Sequence, residues 1–117
     1  MAEVNTKIIY DRREDILNLS RGIPSKASIE IGDFIIDIDN KGFVSGIEIL
    51  NASENLKMNE DLLEKFDKAS MSVIYKPGYI CVYINFYFQD KEKEIAIPLS
   101  INLGHQKIEK EQMVFAK

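Results

Sequence analysis

Residues 34–53, FIIDIDNKGFVSGIEILNAS, hold two runs whose apolar side chains recur at every second position, joined at Asp39-Asn40-Lys41-Gly42. Phe34, Ile36 and Ile38 project to one side of the first run, and Ile35, Asp37 and Asp39 to the other. In the second, Phe43, Ser45, Ile47 and Ile49 alternate with Val44, Gly46, Glu48 and Leu50. A period of two rich in β-branched residues specifies strands rather than a helix. The polar joint ends in glycine, as a short hairpin loop does when its last residue needs positive φ. Gly46, in mid-strand, predicts a bulge or a close backbone approach. Apolar residues on both sides of the ribbon predict cover on both faces near its middle.

The same stretch imitates a calcium loop. Asp37, Asp39, Gly42 and Glu48 stand at positions 1, 3, 6 and 12 of that pattern, with Val44 at position 8. Such a loop takes oxygens from positions 1, 3 and 5 and a bidentate glutamate at 12, between two helices. Here position 5 is Lys41, a cation, and the flanks alternate as strands. The pattern therefore reads as a hairpin with solvated acids, Asp37 and Glu48 being cross-strand neighbours. Asp37, Asp39 and Glu48 are kept as weak candidates for a divalent-metal site.

The other segments follow the same grammar. Lys7–Tyr10 and Ile16–Leu19 read as a first hairpin about the charged turn 11–15, and Ala27–Ile31 as a strand leading into the central hairpin through Gly32-Asp33. Asn59 is placed to cap one short helix over 60–68, with acids in its first turn and Lys65 and Lys68 near its end, as the helix dipole favours. Met58 is set to staple onto Leu63, and Leu62, Leu63, Phe66 and Ala69 form an apolar face that would lie on the sheet. Ser72–Tyr75 is a strand, Lys76-Pro77-Gly78-Tyr79 a turn, and Tyr79–Gln89 the longest alternating run. Ile95–Leu99 returns, with Pro98 marking an edge. The charged tail from His105 ends Met113-Val114-Phe115 and either docks locally or frays. The expected fold class is α+β, a mainly antiparallel sheet of hairpins with one short helix packed on it, because only the helical segment is long enough for a parallel crossover.

With 117 residues, the chain is expected to form a single domain over 1–117: a hairpin region at 6–54, a helix and β-meander at 55–104, and a tail at 105–117. A formal net charge of −4 and pI near 5.0 leave no footprint for unspecific nucleic-acid binding. Cys81 is the one cysteine, so no internal disulfide forms and a reducing compartment is expected. No apolar run approaches a membrane span, and MAEVNTKIIYDRRED has no signal core, so a cytoplasmic location is expected and the Asn-x-Ser triplets at Asn18 and Asn51 carry no glycan.

A resemblance emerges from several of these residues together. Lys7-Ile8-Ile9-Tyr10-Asp11 with Asp15 and Leu17, then Ile35-Ile36-Asp37 through Gly42, then Gly46-Ile47-Glu48-Ile49-Leu50 with Ala52-Ser53, is similar to a domain-of-unknown-function family whose short bacterial and archaeal members are often called YuzE-like. The pattern covers about residues 6–54. Asn18 departs from it, standing where the family usually has an aromatic residue, and most members end near Leu56. The family has no established activity. Some members neighbour genes for small toxin-like nucleases, so the resemblance implies at most an antitoxin-like or partner-neutralising role.

No residue pattern specifies an enzyme. His105, the single histidine, reads as a solvated loop residue, and Cys81 as a half-buried structural thiol without a CxxC partner. There is no glycine-rich phosphate loop, and no cofactor is expected. The stronger feature is Tyr79, Tyr83 and Tyr87, spaced by four on one strand with Cys81, Asn85 and Gln89 interleaved. Rings with polar tips suit interfaces; the competing reading is a sheet face covered by the helix or tail. The leading expectation is a non-enzymatic module that binds a protein partner or itself through Tyr79, Tyr83 and Tyr87, without nucleic acid or membrane. The alternative is a small metal-binding or enzymatic domain using the first-half acids.

Overall fold

The computed structural model describes residues 6–116; residues 1–5, the start of the segment read above as lacking a signal core, and Lys117 lie outside it. Five short strands come first: β1 (Lys7–Asp11), β2 (Ile16–Ser20), β3 (Ala27–Ile31), β4 (Phe34–Ile38) and β5 (Val44–Ile49). They form one sheet in the order β1-β2-β5-β4-β3. Two helices follow, α1 (Ala52–Leu56) and α2 (Glu60–Lys65). The strands β6 (Lys68–Lys76), β7 (Tyr79–Tyr87), β8 (Glu92–Leu99) and β9 (Glu109–Ala116) make a second sheet, ordered β8-β7-β6-β9. Every strand pairing is antiparallel. The α+β, mainly antiparallel expectation holds, with two sheets and two helices in place of one sheet and one helix.

The central hairpin forms as its alternation predicts, with one change of phase. Asp37 pairs with Gly46 but Ile38 pairs with Val44, so Ser45 is an extra residue in β5. This bulge turns Val44 back onto the core face beside Ile47 and Ile49 instead of the side that strict alternation assigns it. Gly46 sits where β5 crowds β2: a Cβ there would lie 3.0 Å from the Leu19 carbonyl oxygen. Asp37 and Glu48 are diagonal rather than direct neighbours, since Glu48 faces Ile35.

The two sheets share one apolar cluster. Leu17, Leu19, Ile36, Ile47 and Ile49 line it from the first sheet, and Met71, Val73, Ile80, Val82, Ile84 and Phe86 from the second. They also meet at a corner, where β1 runs beside β9 and Thr6 Oγ1 donates to the Val114 carbonyl at 3.0 Å. The connection between sheets plugs one end: Leu56, Met58, Leu63 and Phe66 are buried, and Phe66 packs edge-on against Phe86 at 5.2 Å.

Three local expectations change. Helix α1 is an additional helix with no local cap signal; its cap comes from Asp15, far away in the chain, whose Oδ1 accepts the Ser53 N–H at 3.0 Å and whose Oδ2 accepts the Ser53 hydroxyl at 2.6 Å. Helix α2 starts at the Asn59 cap as expected, with Asn59 Oδ1 accepting the Leu62 N–H at 2.8 Å, but ends at Lys65. Phe66 is already extended and Lys68 already pairs with Tyr87, so sheet pairing overrides the helical pattern of residues 66–68. The tail becomes the eight-residue β9, covering the open side of β6.

Candidate functional site

Two regions outside the packed interior carry chemistry: the outer face of the second sheet, and a cleft where the central hairpin meets β9.

Alternation along β7 buries Ile80, Val82, Ile84 and Phe86 and leaves Tyr79, Cys81, Tyr83, Asn85 and Tyr87 outside. Among the described residues, neither candidate cover lies on this face: the tail joins the sheet at its edge as β9, and the segment after α2 packs inward, with Phe66 against the buried Phe86. Tyr79 is 40% exposed, and Tyr83 and Tyr87 are half-buried by their strand neighbours. Registry places Lys68, Ser70, Ser72, Ile74 and Lys76 of β6 beside the tyrosines, Glu92, Glu94 and Ala96 of β8 on one flank, and Lys110, Gln112 and Val114 of β9 on the other. Lys68 lies 5.3 Å from the Tyr87 ring and Lys76 5.2 Å from the Tyr79 ring, cation–π distances. The Tyr83 phenol is pushed up, first by its hydrogen bond with Cys81. Pro98 is opposite Cys81 on β8, an edge strand, as its missing donor requires.

The second region is polar and partly buried. β6 carries Tyr75 at the core end of its apolar phase, and its hydroxyl bridges the sheets: it accepts the Val44 N–H at 2.8 Å and donates to Glu111 Oε1 at 2.6 Å. Burial and the Glu111 hydrogen bond push the Tyr75 phenol far up, so it stays protonated. Glu111 Oε2 takes Arg21 Nη1 at 2.9 Å. His105 stacks on Tyr75 at 4.4 Å and meets Phe43 edge-on at 4.9 Å. Its Nδ1 is 2.6 Å from Glu109 Oε2, and its Nε2 donates to the Gly42 carbonyl at 2.8 Å. Histidine in the tail is thus not the solvated loop residue expected; it is 8% exposed and ties β9 to the tip of the central hairpin. Burial disfavours its charge, but Glu109 and the Gly42 carbonyl outweigh this and raise its pKa. Beside the cluster opens a cleft of about 720 Å³, bordered by Arg21, Lys26, Asp39, Lys41, Phe43 and Glu111.

The candidate metal ligands are each placed without converging. Asp37 accepts the Ser28 hydroxyl at 2.6 Å, and Asp39 Oδ1 accepts the Lys41 and Phe43 N–H groups at 2.8 and 3.0 Å. Glu48 lies on the outer face of the first sheet, opposite Asn18 and Ile35. Among the described residues, no group of three or more His, Cys, Asp or Glu side chains is arranged to hold a metal ion. Tyr75, Arg21, Glu111 and the packed state of His105 were not found from sequence. Only Tyr75 left a signal, a polar tip in an apolar phase that demands a partner.

Three residues of the family pattern, Tyr10, Asp15 and Ser53, form a structural clasp. Tyr10 donates to Asp15 Oδ1 at 2.6 Å, and Asp15 holds Ser53 at the start of α1. A family model described as protein of unknown function, DUF2283, matches residues 7–53, the span of that pattern. The uncharacterized protein MJ0789 of Methanocaldococcus jannaschii is 35% identical over 94 residues, covering 79% of this chain and 81% of the relative. The chain belongs to the DUF2283 family. The match to the archaeal relative reaches well beyond the family model, so the second half of the chain has a counterpart there too. No solved structure matches significantly. Among the described residues, no helix is long and apolar enough to cross a membrane.

Proposed function

We propose that this DUF2283 protein is a non-enzymatic binding module whose contact surface is the outer face of the second sheet, centred on Tyr79, Tyr83 and Tyr87, and whose first occupant is a second copy of the chain. The observation that carries the reading is the row pairing on this face, in which Tyr79, Tyr83 and Tyr87 stand opposite Lys76, Ser72 and Lys68. Acids Glu92 and Glu94 lie on the β8 flank, the tyrosines in the middle, and Lys68, Lys76 and Lys110 on the β6 and β9 side. A two-fold axis running along the strands between β7 and β6 keeps each residue in its cross-strand row, so it turns Tyr83 of one copy over the small Ser72 of its mate, and Tyr79 and Tyr87 over Lys76 and Lys68, rings against cations. Self-complementarity of this kind is what an isologous dimer needs. Four strands of eight to nine residues span roughly 20 by 30 Å from strand spacing and rise. That is about 600 Å² per copy, at the low end for specific interfaces, so association is expected to be reversible and concentration-dependent.

The test is mass in solution by light scattering across a concentration series, for wild type and Tyr83→Glu. The wild type should move from monomer to dimer with concentration, and Tyr83→Glu should stay monomeric with an unchanged circular dichroism spectrum. A wild type monomeric at every concentration, or a variant that dimerises equally well, rules out this face as a self-association surface.

A further inference from the structure

We propose that the cleft between the β4–β5 loop and β9 is a binding site for a small molecule carrying an oxyanion group, carboxylate or phosphate, on an apolar or planar body. Charge gives the first reason. The chain is net −4, yet the cleft border brings together Arg21, Lys26 and Lys41 against only Asp39 and Glu111. Both acids are held by the protein: Asp39 Oδ1 accepts the Lys41 and Phe43 N–H groups, and the Glu111 oxygens face Tyr75 and Arg21. Three cations against two acids leave the cleft border slightly positive on an acidic chain, which favours anions there.

Donor geometry gives the second reason. Among the described residues, the Arg21 side chain uses only Nη1, toward Glu111 and, at 3.4 Å, the Val44 carbonyl. Its Nε and Nη2 have no partner among the described residues, although the side chain is only 22% exposed. A guanidinium anchored through one nitrogen, with its remaining donors free, is set up for planar recognition of carboxylate or phosphate. Lys26 and Lys41 have no side-chain partner among the described residues and add charge without fixed geometry. Phe43 and Ile23 supply an apolar wall, and a volume of about 720 Å³ suits a metabolite-sized ligand. Phe43 also touches His105 and Tyr75, so the wall is backed by the rigid His105–Glu109 and Tyr75–Glu111 contacts.

The experiment is an NMR titration of the ¹⁵N-labelled full chain with phenyl phosphate and, separately, benzoate, at constant ionic strength held with sodium chloride. Saturable shifts of the Lys26, Asn40, Lys41 and Phe43 amides are expected with at least one probe, and the probe that saturates tells phosphate from carboxylate. The double variant Lys26→Glu/Lys41→Glu, confined to exposed side chains, should weaken the apparent Kd at least tenfold. Arg21→Lys, which keeps the charge but loses the fork, should weaken it several-fold. If Arg21→Lys lowers the melting temperature, the lysine pair decides alone. Shifts that fail to saturate with both probes, that map elsewhere, or that persist unchanged in the lysine variant would overturn the proposal.

Discussion

His105 Nδ1 lies 2.6 Å from Glu109 Oε2 while its Nε2 is 2.8 Å from the Gly42 carbonyl, so both ring nitrogens face acceptors. A carbonyl only accepts, and a carboxylate only accepts, so the arrangement is complete only when the imidazole carries both protons. Glu111, engaged with Tyr75 and Arg21, adds a second negative charge nearby, and the rings of Tyr75 and Phe43 exclude water.

A pH dependence follows. The His105 pKa is raised in the folded state. Its contribution to stability is therefore full below the unfolded value of about 6.5 and is lost as pH rises through the higher folded value. The melting temperature of the wild type should fall over that interval, and that of His105→Gln should not. A parallel slope in the variant would assign the effect to another group.

Tyr75→Phe removes the hydroxyl that pairs the buried Val44 N–H and holds Glu111. Leaving that amide unsatisfied should cost about 1–3 kcal/mol. Because the same hydroxyl anchors β9 through Glu111, amide exchange should accelerate in β9 more than in the β6–β7 hairpin. Uniform acceleration across the sheet would show that the hydroxyl does not hold β9.

Asp15 is the joint between the first hairpin and α1. Burial works against its ionisation, but hydrogen bonds from Ser53 and Tyr10 overcome this and lower its pKa. The stability it contributes is present above the unfolded value of about 3.9 and is lost as pH falls through the lower folded one. Asp15→Ala should destabilise by about 1–3 kcal/mol in urea unfolding. Added to Ser53→Ala, it should cost less than the sum of the two single changes, since both remove the same contact. Full additivity would separate Asp15 from Ser53 energetically.

Gly46 and Gly32 make a matched pair. A Cβ at Gly46 meets the Leu19 backbone at 3.0 Å, whereas one at Gly32, at φ +55°, meets nothing within 4 Å. Gly46→Ala must push β2 away from β5 and should cost about 1–3 kcal/mol, as overpacking does. Gly32→Ala pays only the left-handed backbone, about 1–2 kcal/mol. A Gly46→Ala variant as stable as the wild type in denaturant unfolding would mean that the β2–β5 contact yields easily.

The amino-acid sequence alone determined the local order of this protein. The two-residue period of 34–49 and 79–87, the Asn59 cap, the Pro77-Gly78 turn and the edge position of Pro98 are short-range rules, satisfied by neighbours within a few residues. The division into two sheets, the phase change at Ser45, the helix α1 held by Asp15, the docking of β9 and the burial of His105 all depend on contacts between distant parts of the chain. Tail residues 109–111 are all charged and only 113–116 are apolar, and the β9 conformation of this segment follows from the open edge of β6, which no local pattern reveals. His105 is buried for the same reason: its partners Gly42 and Tyr75 are supplied by other strands, and a histidine has no periodic signature of its own. Tertiary structure alone decided which polar groups converge, because a buried hydrogen bond is set by proximity in space rather than by spacing along the chain.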